Sequence, residues 1–562
     1  MKKLKLLVLF VAITSAILTS GVLHAQTNDQ VRHLATLARL WGFLKYYHPD
    51  AAKGDPDWDK ELIRMIPLTR RAPSDKAFHQ LMADWYHSLP GAKLAAQPTQ
   101  LKNDSTERIF DETDLRHFGI PKPLLNELTA LYLYHLPDSS RYISDHYRQY
   151  HLDYIRHMED ESPIPAFPDE EHRLLALFRY WNIIAYFYPD KKINAPDWDQ
   201  VLPDMIPAFA AAADTTGYRQ AFLVLTAKLK DSHSFFYQQS WNKGHNQMNL
   251  PFQVAWIEGK FYISASPYDS LMKQGDYKIG DEIVQINGHP VADRVRELTP
   301  YTTGTNRSSF YRNIANSLFK IDTGRAMQLT LRRNGALLER SVSLFREQEL
   351  KSFRKDPHPL WRDLGNGIYY VRFCEIAKAD TLKKLFADLQ NAKAVIWEMR
   401  DYPNFQVTKV AERGLFAEPP RSTINYHSIL EFPGTLRKHI DPPAFTAVDS
   451  IRLSLYKGRM IVLVDERTQS LSESVAYELR FRPNTLIMGS QTAGTTGNIT
   501  WVDFPGGISA SYTGVGVKGL NDSFTEGKGV RIDKEIKLKA QDLLKYPDYM
   551  LEMAYQEALK GQ

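Results

Sequence analysis

The sequence predicts a multidomain α+β protein: a mainly helical N-terminal region, a β-rich middle and an α/β core. Three observations carry that prediction. At 562 residues the chain exceeds the roughly 250–300 residues at which one hydrophobic core stops growing. A helical pattern recurs at fixed spacing in the first part of the chain. From Leu250 the apolar period changes to short alternating strands, and after about residue 355 to strand–helix alternation. With 43% hydrophobic and 24% charged residues, the composition excludes disorder, collagen and coiled coil as global descriptions.

The N-terminus reads as an address. Lys2, Lys3 and Lys5 precede an apolar run from Leu6 to Leu18 and then Leu23-His24-Ala25, the order of a secretory signal peptide over residues 1–25. The run is shorter than the ~20 residues a spanning helix needs, so no stable membrane insertion is expected after its removal. Losing three lysines and no acid takes the formal charge from +5 to +2, which makes nucleic acid a poor partner. The single cysteine, Cys374, excludes an intramolecular disulfide, a cysteine zinc cluster and an iron–sulfur cluster. A periplasmic or secreted protein held together by packing alone is expected.

Residues 26–240 contain a duplication. Trp41, Tyr46, Pro49, Asp50, Asp57-Trp58-Asp59 and Met65-Ile66-Pro67 recur 140 positions later as Trp181, Tyr186, Pro189, Asp190, Asp197-Trp198-Asp199 and Met205-Ile206-Pro207. Each copy reads as a helix stopped before a proline, a loop, and a second helix with Asp57 or Asp197 as its N-cap. Trp58 and Trp198 read more readily as wedges between helices than as ligand shelves.

In the middle, Phe252–Trp256 and Lys260–Ser264 alternate as strands around Glu258-Gly259. Ile279-Gly280-Asp281 through Ile286-Asn287-Gly288 is similar to the central segment of a PDZ domain, with a strand ending in an Asn-Gly hairpin turn. The PDZ-like region spans 245–346, its last strands at Met327–Arg333 and Glu339–Leu344. In 355–562, strands at Gly367–Phe373, Ala394–Met399, Arg459–Val464 and Thr485–Met488 alternate with helices at Ala379–Asn391 and Ser470–Phe481. That alternation predicts a largely parallel sheet whose sites gather at the carboxyl ends of the strands. Gly514-Val-Gly516-Val-Lys-Gly519 matches a dinucleotide fingerprint but lacks its strand-to-helix setting.

The chemistry-bearing stretch is Val464-Asp-Glu-Arg-Thr468-Gln-Ser470-Leu-Ser472-Glu473, a strand leading through a polar turn into a helix. A serine at that helix start projects its hydroxyl beside free backbone N–H groups. Ser470-x-x-Glu473 is equally the capping-box pattern, and the segment alone favours that reading.

This stretch, followed by Gly489-Ser-Gln-Thr492-Ala-Gly494, resembles the signature of the tail-specific (carboxyl-terminal-processing) serine peptidases. The order of helical region, PDZ-like domain and α/β core is similar to that family's plan. The resemblance implies a ClpP/crotonase-like core, no metal or cofactor, and a protein or peptide substrate. One branch of the family uses a lysine directly after the G-x-x-T-x-G turn; here that position is Thr495. Asp231-Ser232-His233-Ser234 and Glu526-Gly527-Lys528-Gly529 resemble instead the tricorn-core-like branch. The resemblance then assigns Ser470 as nucleophile, His233 as its base and Ser232, held by Glu526, as the group orienting His233. The backbone N–H groups of Leu471 and Asn404 form the oxyanion hole. Chemically, a serine hydroxyl needs such a base, and imidazole suits the task near neutral pH. The family usually has glycines where this chain reads Pro403-Asn404-Phe405. On the residues alone, His233 also reads as a helix-end histidine and Glu526 as a solvated loop charge. An exported serine endopeptidase is expected, with a catalytically degenerate peptide-binding scaffold as the alternative.

Overall fold

A computed structural model describes residues 27–101, 103–136, 140–146, 154–159, 164–238, 248–320, 324–354, 358–420, 423–440, 451–520 and 524–560. The leader expected at 1–25 lies outside them. Among the described residues no helix is long and apolar enough to cross a membrane.

The duplicated pattern folds as two helical hairpins. Helices α1 (Asn28–Tyr47) and α2 (Trp58–Arg70) form the first, α3 (Glu170–Phe187) and α4 (Trp198–Ala210) the second. α1 stops at His48 and α3 at Tyr188, each immediately before a proline, because the residue preceding proline is driven out of helical backbone. Asp57 caps α2 by accepting the Lys60 N–H at 3.2 Å. Asp197 makes no such bond, contrary to the sequence expectation; its ψ of 30° departs from the extended backbone a capping side chain needs.

Within each hairpin two indoles trade hydrogen bonds. The Trp41 N–H donates to the Trp58 carbonyl and the Trp58 N–H to the Trp41 carbonyl, both at 2.9 Å. Trp181 and Trp198 repeat the exchange at 2.9 and 3.0 Å. Burying an indole requires an acceptor for its N–H, and the partner's backbone supplies it. Trp58 and Trp198 are 0% and 2% exposed, so they wedge the helices and offer no ligand shelf. The copies also interlock. Arg39 donates to the Asp199 carbonyl, and its counterpart Arg179 to the Asp59 carboxylate. Asn182 fits only because its counterpart is Gly42, where a Cβ would lie 1.8 Å from the Asn182 side chain.

Helix α5 (Thr215–Lys228) is followed by Lys230 in left-handed backbone (φ +50°), which turns the chain toward β1 (Phe236–Gln238). Next comes a six-stranded antiparallel sheet. β2 (Gln253–Ile257), β3 (Lys260–Ala265), β4 (Glu282–Ile286), β5 (Ala326–Arg333) and β6 (Ala336–Ser343) stand in the order β6-β5-β4-β3-β2, and His289–Pro290 pairs with β4. Asn287 and Gly288 turn with φ of +51° and +80°, the two positive angles that the Asn-Gly pair accommodates. Helix α6 (Arg307–Ser317) lies against the edge strand β2, with Tyr311 stacked on Trp256 at 3.9 Å.

The core sheet is β7 (Trp361–Asp363), β8 (Ile368–Val371), β9 (Ala394–Glu398), β10 (Arg459–Val464), β11 (Thr485–Gly489) and Lys534–Glu535 in that order, parallel except for β7. α7 (Phe405–Leu415) and α8 (Leu471–Leu479) cover the face carrying Val395, Trp397 and Val462. The C-terminal helix Tyr549–Leu559 covers the face carrying Ile396, Ile461 and Leu463. With both faces buried, the strands read as continuous apolar runs, as parallel strands do.

Two sheets that tie the regions together have no counterpart in the sequence reading. β12 (Ile499–Phe504) and β13 (Ile508–Thr513) pair with β1 in the order β12-β13-β1, and their Val502, Phe504, Ile508 and Tyr512 complete the core of the helical region. Thr106–Arg108, Thr435–His439, Thr423–Ser428 and Gly516–Gly519 form the other. The glycine-rich 514–519 stretch thus enters a sheet and opens no helix.

Replacing Trp58 or Trp198 by Ala should each lower stability by about 3–5 kcal/mol, read as a lowered urea midpoint for the helical region. A loss below ~1 kcal/mol would show that the paired indoles are not wedges.

Candidate active site

The parallel sheet explains where the site is. β9 and β10 are neighbours, and each runs at its carboxyl end into a turn and a helix, α7 and α8. Two helix N-termini therefore lie side by side, where unpartnered N–H groups and helix dipoles favour negative charge.

Ser470 sits on the second of these turns with φ +58° and ψ −122°, left-handed backbone that a residue bearing a Cβ adopts only when its surroundings enforce it. The enforcement is visible. The Ser470 N–H donates to the Thr495 carbonyl at 2.8 Å. Thr468 donates its hydroxyl to the Met399 carbonyl (2.9 Å), and Ser472 to the carbonyls of Met399 and Asp401 (both 2.8 Å). These bonds clamp the serine turn to the end of β9. The capping-box reading fails: Ser470 makes no side-chain cap. The fully buried Glu473 carboxylate turns instead to the N–H groups of Gly494 (2.8 Å) and Thr495 (2.9 Å) and to the Thr492 hydroxyl. Burial pushes Glu473 up to about 7, against these donors. Gly529 is obligatory beside it, since a Cβ would lie 2.1 Å from Thr492 Oγ1.

The segment holding His233 leaves α5 and is fixed by Asp231, whose carboxylate accepts the His233 N–H at 2.8 Å. His233 is 1% exposed. Burial, and secondarily the Arg312 charge, push its imidazole down to about 3, so it is neutral at neutral pH. Its Nδ1 lies 3.0 Å from the Thr513 hydroxyl. The Ser232 hydroxyl faces elsewhere, accepting the Thr305 N–H (3.0 Å) and hydroxyl (2.9 Å).

Glu526 is 3% exposed and not a solvated loop charge. It accepts the Thr495 hydroxyl (3.0 Å), the Thr496 N–H (3.2 Å) and the amide of Asn194 (3.2 Å), the last from the second helical hairpin. Burial, then the nearby Asp190 and Asp231, hold its carboxyl well above the ordinary range. The expected Glu526–Ser232–His233 chain of bonds is therefore replaced by two shorter ones, Glu526 to Thr495 and Thr513 to His233.

These pieces meet in one network. Gln469, beside Ser470, donates to the Ser232 carbonyl at 3.3 Å. Thr495, which accepts the Ser470 N–H, also contacts the Thr305 hydroxyl that holds Ser232. From α6, Arg312 donates to the Glu466 carbonyl and to Gln469 Oε1, both at 2.7 Å, bracing the serine turn. Among the described residues, the Ser470 hydroxyl and His233 Nε2 carry no hydrogen bond. The N–H groups of Leu471 and Asn404 are likewise uncommitted. Asn404 is the N-cap of α7, its side chain accepting the Val407 N–H at 3.1 Å, which accounts for an asparagine where glycine was expected. Lys518 is not at the serine; it pairs with Glu107. A cavity of about 2370 Å³ runs between this face of the core and the edge strand β2, walled by Ser234, Phe235, Asp401 and Glu466 on one side and Val254 and Trp256 on the other. Ser470 itself is half-buried, three residues beyond the cavity-lining Arg467.

A strained serine at a helix start, clamped to a turn with free N–H groups and linked to a neutral buried imidazole, belongs to a serine-type peptidase. Family comparison agrees. Residues 420–536 match the family model for Peptidase family S41 and residues 246–338 that for a PDZ domain. The chain is thus a serine-type peptidase that carries an S41-family domain joined to a PDZ domain, and its substrates are proteins or peptides. No curated protein sequence matches it. Among solved structures, mature CPAF complexed with lactacystin superposes with a TM-score of 0.53 at 15% identity, over 70% of this chain and 98% of that one. Mature CPAF alone gives 0.53, 15%, 70% and 97%; at that identity the two share its fold. The photosystem II D1 C-terminal processing protease gives 0.40 at 15% identity, over 65% and 92%.

Asp231 and Thr513 escaped the sequence reading as site residues, although Asp231 stands in the Asp-Ser-His string. Thr305 and Asn194 carry no motif at all.

Because burial holds the imidazole at about 3, the His233 side-chain resonances should stay at their neutral positions from pH 8 to 5 in an NMR titration. A midpoint near the ordinary ~6.5 would contradict this placement.

Proposed function

We propose that this chain is an exported serine endopeptidase of the tricorn-core-like branch, cutting peptide bonds through an acyl-enzyme on Ser470. The observation that carries the reading is the left-handed backbone of Ser470 at the start of α8, in a turn bonded directly to the Ser232-His233 segment. His233 accepts the hydroxyl proton as Ser470 attacks the carbonyl carbon, and returns it to the leaving amine. Water then attacks the ester with the same imidazole as base. The N–H groups of Leu471 and Asn404, at two adjacent helix starts, stabilise the oxyanion. Glu526 supports this assembly through Thr495 and Thr496, and Ser232 through Thr305. The PDZ domain engages an extended stretch of substrate at the edge strand β2, whose residues face the same cavity as the serine turn. Export rests on the basic and apolar leader at residues 1–25, and the module boundaries on the composition changes at 240–245 and 346–355.

Ser470→Ala should abolish peptide cleavage and labelling by a fluorophosphonate while leaving the circular dichroism spectrum intact. His233→Ala should lower kcat by roughly 10³–10⁴. Cleavage at the native rate in Ser470→Ala would refute the nucleophile. A native protein that neither cuts nor labels would be the peptide-binding scaffold instead.

A further inference from the structure

The imidazole of His233 needs a partner on Nδ1 if its other nitrogen is to be a base, because a neutral ring carries one proton that can sit on either nitrogen. The partner in this structure is neither the adjacent serine nor Glu526. It is Thr513, at the end of β13, whose Oγ1 lies 3.0 Å from Nδ1 and 3.1 Å from the Asp231 carboxylate.

We propose that Thr513 and Asp231 form a relay that fixes the tautomer of His233, acting as positioning residues for the base. This rests on the reading of His233 as the general base. The direction of each bond follows from counting protons. An ionised carboxylate only accepts, so the single hydroxyl proton of Thr513 goes to Asp231. The oxygen's lone pair then accepts the proton on His233 Nδ1, and Nε2 is left with a bare lone pair.

Asp231 is built to anchor that sequence. It is 0% exposed, and its carboxylate takes the backbone N–H of His233 on one oxygen and the backbone N–H of Thr513 on the other, each at 2.8 Å. Thr513 is thus tied to Asp231 twice, through backbone and side chain, and His233 once through its backbone and again by way of Thr513. The anchoring extends to the Asp231 carbonyl, which accepts the Ser234 N–H (2.8 Å) and the Thr303 hydroxyl (2.9 Å). Ser511, two residues before Thr513, donates its hydroxyl to the His233 carbonyl at 2.6 Å. Register between β13 and the 231–235 segment is therefore fixed on both sides of the ring.

The test uses the full-length protein carrying Ser470→Ala, so that it needs no activity, with and without Thr513→Val. Nitrogen-15 shifts of the His233 ring read the tautomer directly. With threonine, the proton should reside on Nδ1; with valine, which keeps the shape and removes the acceptor, a substantial share should move to Nε2. With Ser470 restored, Thr513→Val should lower kcat by about 10²–10³ with KM within ~3-fold, and Thr513→Ser should recover most of the loss. An Nδ1 proton that stays in place in the valine variant would overturn the relay, as would a serine variant no better than valine. Activity surviving in Ser470→Ala would fault the nucleophile and leave the nitrogen shifts to judge the relay on their own.

Discussion

The site depends on one buried carboxylate. Asp231 comes from the end of the helical region, yet the strand it holds, β13, lies more than 280 positions later in the core. Desolvation holds its carboxyl up at about 6 even against the donors of His233 and Thr513, and an unsupported charge there would be lost to protonation or would unfold its surroundings. Backbone donors from His233 and Thr513 make it tolerable, and in doing so they bring the histidine segment and the strand into contact. The geometry of the candidate site is therefore a by-product of satisfying a charge, and removing the charge would remove the reason for that contact.

The duplicated hairpins show a comparable economy with a different outcome. Their reciprocal indole bonds are alike to a tenth of an ångström, and their Arg39 and Arg179 arms cross to the other copy. At the interface, however, symmetry breaks: Asn182 occupies the space that Gly42 vacates. It breaks again in the loops, where the first copy has Gly54 and the second has Asn194, the residue that reaches Glu526. One copy is scaffold, and the other supports the site.

Much of this was legible in the sequence because the signals were periodic or local. The strands at Arg459–Val464 and Thr485–Gly489, the Asn287-Gly288 turn and the helix stops before Pro49 and Pro189 each follow from nearest-neighbour chemistry. Ser470, His233 and Glu526 stood out as candidates because they stand in recognisable strings. The roles of Thr513 and Asp231 were not, since a threonine in a strand of Tyr-Thr-Gly has no spacing relation to a histidine across the PDZ domain. Ser232 misled for a related reason. Adjacency in sequence suggests partnership, whereas Ser232 and His233 occupy a turn and the Ser232 hydroxyl faces Thr305. The capping-box pattern at Ser470 and Glu473 failed because burial turned the glutamate inward to the 492–495 turn.

The three-stranded sheet that unites Phe236–Gln238 with residues 499–513 has a bearing on how the molecule comes into being. Its first strand leaves the ribosome long before its partners, and the PDZ domain intervenes between them. A chain halted anywhere before the last sixty residues or so would possess the imidazole but no strand to lodge it. The pocket that holds this imidazole is thus completed late in synthesis, when a strand from the last third of the sequence pairs with one from its middle.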